Sequence, residues 1–137
     1  PLSFYKSIIE KDLNINWTII CEDNINPCIK YLVNEYSNVT FKRDTLVNDI
    51  NTLLNAKKVI MSIGTFVPSL LMLSDNIKTI YYPDYFFELD KGMYYTFKHK
   101  LDDIFHDCEL IRMAVSEKYL EQKPRSFQQL VVNLIHY

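Results

Sequence analysis

Residues 57–83, KKVIMSIGTFVPSLLMLSDNIKTIYYP, constrain the fold of this chain more than any other stretch. Val59, Ile60 and Met61 form a short apolar run of strand type, followed by Ser62 and by Gly64, one of only two glycines in the sequence. Thr65 stands where a helix N-cap is expected, and residues 66–73 have the composition of a short buried helix. A second strand-like run over 77–82 stops at Pro83. Strand, tight turn, helix and strand in that order make the unit from which parallel α/β sheets are assembled. The turn turns backbone N–H groups outward at a helix start, where an anion such as a diphosphate is well held.

The remaining sequence supplies layers around this unit. Residues 3–11 place Phe4, Tyr5, Ile8 and Ile9 at helical spacing behind a Ser3 cap. Residues 16–21, NWTIIC, are β-branched and apolar, as a strand buried on both faces requires. A polar cluster, Glu22-Asp23-Asn24, separates that strand from a helix over 27–36 with Pro27 in its first turn and Ile29, Leu32, Val33 and Tyr36 on one face. Residues 38–42 read as a second strand, and 44–55 as a helix in which Asp49 lies beside the apolar stripe of Leu46, Val47, Ile50, Leu53 and Leu54.

After Pro83 comes an aromatic, acidic loop over 84–92, a helix over 98–105 and a last strand over 109–115. Pro124 marks the start of a final helix over 125–136, with Phe127, Leu130, Val131, Leu134 and Ile135 apolar. The alternation predicts one three-layer, Rossmann-like α/β domain over residues 1–137 with a mainly parallel sheet. Such sheets bind ligands beyond the carboxyl ends of their strands, at a switch in strand order. Loops 22–26 and 62–66 are thereby expected at one edge of the sheet.

A chain of 137 residues is long enough for one real core and short for two. Its net charge of −2 gives no support for broad electrostatic binding to nucleic acid. No run approaches the roughly 20 apolar residues that span a bilayer, and no signal peptide is present. Cys21, Cys28 and Cys108 are scattered and form no CxxC, so they read as core thiols of a reducing, cytoplasmic compartment. The sequons at Asn16 and Asn38 fall on expected strands and are discounted. The chain begins at Pro1 without Met, which reads as the second half of a longer protein.

The 62–66 turn offers Ser62, Gly64, Thr65 and Phe66 either to a phosphate and ribose or merely to an ordinary strand-to-helix connection. Neither a GxGxxG nor a GxxxxGK[ST] fingerprint accompanies it. Glu22, Asp23 and Asn24 suit ribose hydroxyls, a base edge or a metal, and equally a solvated loop with Asx-type turn bonding. Asp49 suits an exposed helix carboxylate as well as a site. His99, Asp102, Asp103 and His106 could share a helical face, and the polar side of an amphipathic helix is the expected reading, so no metal site is assigned. Nothing resembles a Ser-His-Asp or Cys-His nucleophile system, and no catalytic residue is assigned.

In their order, these pieces resemble the carboxyl-terminal half of a GT-B glycosyltransferase, and are most similar to the α-1,2-fucosyltransferase-like family. WTIICEDNINPCIKYL has the form of that family's strand ending in an acidic pair, here Glu22-Asp23, before a helix carrying Cys28. NDINTLLNAKKVIMSIGTF supplies an Asp-bearing helix, with Asp49, ahead of a turn that reads Gly64-Thr65-Phe66 where the family has Ser-Thr-Phe. Val67-Pro68 stands in place of the family's Ser-Trp, and the similarity runs from about Ser3 to Pro83. The family's basic motif that neutralises a GDP diphosphate would lie upstream of this chain.

The resemblance implies a metal-independent transfer in which an acceptor hydroxyl attacks the anomeric carbon of a nucleotide sugar, GDP-fucose being among the donors. It implies donor contacts from Ser62, Gly64, Thr65 and Phe66, a nucleoside near Glu22, Asp23 and Asn24, and Asp49 bracing the turn. The implied partners are the nucleotide sugar, a glycan acceptor and an amino-terminal half of the same protein. The alternative expectation is a non-catalytic α/β interaction domain or a nucleotide-binding regulatory domain.

Overall fold

In the computed structural model, residues 2–21, 24–61, 66–83, 105, 107–113 and 133–136 are described. Helix α1 (Leu2–Ile9) forms where Phe4, Tyr5, Ile8 and Ile9 fall on one stripe, and all four are buried. It leads into strand β1 (Trp17–Ile20) and then helix α2 (Pro27–Glu35). Asn26 caps α2 through its side-chain oxygen, which accepts from the Cys28 N–H at 2.9 Å, and Pro27 takes the first turn, where no N–H is needed.

Strand β2 (Val39–Lys42) precedes helix α3 (Leu46–Leu54), which Thr45 caps by accepting from the Asn48 N–H at 3.3 Å. Strand β3 (Lys58–Ile60), helix α4 (Phe66–Leu71) and strand β4 (Thr79–Pro83) form the strand–turn–helix–strand unit expected at 57–83. Strands β5 (Glu109–Met113) and β6 (Asn133–His136) complete the described elements.

The strands form one sheet in the order β2-β1-β6-β3-β4-β5. β1 pairs parallel with β2, β3 with β4, and β4 with β5, so these five strands share one direction. β6 runs antiparallel to both neighbours, with Ile20 opposite Asn133 and Ile60 opposite Leu134. The domain is therefore a Rossmann-like α/β fold with a mainly parallel sheet.

Two cores flank this sheet. Right-handed crossovers send β1→β2 and β3→β4 in opposite lateral directions, which puts α2 and α4 on opposite faces. On one face Trp17, Ile19 and Ile60 pack with Phe4, Ile8 and Ile9 of α1 and Ile29 and Leu32 of α2. On the other, Ile20, Val59, Met61 and Ile80 pack with Leu53 of α3 and Val67 and Leu71 of α4. Residues 59, 60 and 61 alternate between the two cores, as a period of two demands. Each fully buried side chain of this size stabilises the fold by about 1.5–3 kcal/mol.

The helix expected over 125–136 is corrected at its end, because residues 133–136 are strand β6, while 125–132 lie outside the described residues. Leu134 and Ile135 fit a helical stripe, yet a short apolar run carries no period that separates helix from strand. The slot between β1 and β3 offers this run ladder partners on both sides, and pairing there satisfies its backbone twice over. Strand β5 covers residues 109–113 of the expected 109–115, and residues 114 and 115 lie outside the described residues. The expected loop over 84–92, and the helix over 98–105 apart from buried Phe105, lie outside the described residues.

Candidate site at the carboxyl edge of the sheet

Five strands point their carboxyl ends to one edge, and lateral progress along the sheet reverses between β1 and β3. At such a reversal the flanking loops diverge to opposite faces and leave a crevice. The chain leaves β1 at Cys21 and β3 at Met61, whose N–H still reaches the Tyr81 carbonyl at 2.8 Å. The strands that lead into both segments named from the sequence thus end at the same edge, on either side of the strand-order switch. β6 stands between them.

Of the expected site residues, Glu22, Asp23, Ser62, Gly64 and Thr65 lie outside the described residues. Asn24 is exposed in the bend before α2. Phe66 opens α4 and is 54% exposed, although the two residues after it, Val67 and Pro68, are buried. A large aromatic ring left half in water at the mouth of a switch crevice is available to stack on a planar group.

Asp49 is the expected site residue that the structure defines best. It sits in the first turn of α3, and the helix begins at the carboxyl edge because it follows β2. Its backbone N–H is bonded to the Thr45 carbonyl at 2.9 Å. Its side chain is only partly accessible, and Oδ1 is buried with no hydrogen-bond partner among the described residues. A buried carboxylate oxygen without a donor costs on the order of 1–3 kcal/mol, so its persistence calls for a reason. From the sequence alone Asp49 reads more readily as an exposed helix carboxylate than as a catalytic one; the structure places it half-buried at the start of α3.

The same edge is apolar where a solvated loop would be polar. Ile25 is 78% exposed, and Leu46 and Val47 at the start of α3 are 64% and 65% exposed. Of the helical stripe read over 44–55, Leu53 is buried in the core, while Ile50 and Leu54 are half-buried. At this edge Lys42 meets Asp44 at 3.3 Å, and Asp44 also accepts from the Asn48 side chain at 2.7 Å. Those contacts, led by the Asn48 bond, hold the Asp44 carboxyl below its usual range.

Asn133 was not singled out from the sequence. The ladder sets it opposite Ile20, the last residue of β1, and level with Met61 just beyond β3. No sequence signal marks it, because its position depends on β6 occupying the central slot. Among the described residues, no group of three His, Cys, Asp or Glu side chains gathers as a metal ion would require. His99, Asp102, Asp103 and His106 lie outside them. Nor is any helix there long and apolar enough to cross a membrane.

Comparison with protein-family models, with curated proteins and with solved structures returns no match.

Proposed function

We propose that this domain binds the nucleotide-sugar donor of a GT-B-type glycosyltransferase and that transfer proceeds without an essential metal. The observation that carries the reading is that β1 and β3, the strands before the 22–26 and 62–66 segments, end at one sheet edge on the two sides of the strand-order reversal. The orphaned Asp49 Oδ1 and the exposed Phe66 ring at that edge support it. In this reading Phe66 and the turn before it meet the donor, Asn24 with Glu22 and Asp23 lies toward the nucleoside, and Asp49 accepts a hydrogen bond from the turn or from a donor hydroxyl. The acceptor, a glycan hydroxyl, and the group that deprotonates it come with an amino-terminal half, in a cytoplasmic protein. GDP-fucose is one donor of the right class.

A thermal-shift panel of nucleotides and nucleotide sugars tests this reading. A ligand at 100 times its dissociation constant stabilises its protein by about 2.7 kcal/mol, a shift of several degrees for a domain of this size. A response to one nucleotide class, reduced by Thr65→Ala and by Asp49→Ala, is the expected result. No response from either this domain or the full-length protein would sink the assignment.

A second reading is favoured by the exposed Ile25, Leu46, Val47 and Phe66. An apolar rim of this kind also suits a non-catalytic interaction domain. It predicts no nucleotide response and a partner whose binding is lost on Leu46→Asp.

A further inference from the structure

We draw no further inference here: the strongest candidate, the surface patch of exposed Ile25, Leu46, Val47 and Phe66 at the carboxyl edge of the sheet, belongs to the site already described, and nothing in the structure shows what covers it.

Discussion

The two edges of the sheet are finished differently. At the amino edge the connections are stitched to one another: the Asn38 amide donates to the Ile15 carbonyl at 2.7 Å, and the Trp17 N–H returns to the Asn38 carbonyl at 2.7 Å. The Ser74 hydroxyl and the Asn76 amide both donate to the Leu54 carbonyl, at 2.6 and 3.1 Å, closing the end of α3 onto the chain before β4. Lys78 N–H to Lys57 carbonyl and Glu109 N–H to Lys78 carbonyl, each 2.8 Å, carry the stitching across to β5.

The carboxyl edge has helix caps at Asn26 and Thr45 but also a buried carboxylate oxygen at Asp49 that has no partner among the described residues. Apolar exposure does not by itself separate the edges, since Leu13, Met72 and Leu73 are exposed at the amino edge. The density of cross-connections among the described residues does. The bonds at Asn38, Ser74 and Asn76 tie the amino-edge connections to one another. A buried acceptor without a partner among the described residues lies at the edge where α/β sheets bind ligands.

The largest expected effect breaks the closed edge. Trp17 is 1% exposed at the first position of β1, edge-to-face with Tyr81 at 6.2 Å. Trp17→Ala should cost about 3–5 kcal/mol, through lost burial and the cavity left behind. Urea unfolding followed by far-ultraviolet circular dichroism measures it, because the only tryptophan is then gone. A loss below about 1 kcal/mol would mean that this edge is not the structural one.

Next in size is Asn38→Ala, which leaves the Ile15 carbonyl without its side-chain donor and should cost about 1–2 kcal/mol. Nucleotide affinity should not change, since the two edges lie at opposite ends of the strands. A parallel fall in affinity would show that the edges are coupled and dissolve the contrast.

Asp49→Ala should do the reverse. Losing a first-turn carboxylate forfeits a helix-dipole contribution of about 0.3–1 kcal/mol. Removing the orphaned oxygen and gaining alanine's helix propensity return a similar amount. Stability should therefore stay within about 0.5 kcal/mol of wild type while nucleotide affinity falls roughly tenfold. A clear loss of stability with affinity intact would make Asp49 a structural residue of α3.

The sequence made the closed parts of this molecule easier to read than the open ones. Strands such as WTII and the unit over 57–83 announce themselves because their burial needs a dense apolar run, and a dense run survives any choice of neighbours. β6 did not, because LI in NLIH is too short to show a period, and only the slot between β1 and β3 makes it a strand. Asp49 was visible as a residue and ambiguous as a role, since whether a helix carboxylate is buried depends on the packing of α3 and not on its spacing. Leu46 and Val47 misled in the opposite direction: the stripe they continue is real, but the helix overhangs the core at its first turn.

The smallest expected effect sharpens the contrast through pH. Tyr36 ends α2 at the amino edge, almost fully buried, and its hydroxyl donates to Glu10 just beyond α1. Burial, and then the Glu10 carboxylate, push its pKa from an ordinary 10.0 up to about 12. The folded chain therefore holds this proton more tightly than the unfolded chain does. The stability this brings is complete below pH 10 and is lost as the pH rises from 10 to about 12. Tyr36→Phe removes that titration, so its unfolding midpoint should fall less steeply than wild type across this window, though it lies slightly lower at neutral pH for want of the bond to Glu10. Equal slopes for the two proteins would mean that Tyr36 ionises as freely in the fold as outside it. The amino edge would then be looser at this corner than its hydrogen bonds imply, and the difference between the edges would narrow to the stitching at Asn38, Ser74 and Asn76.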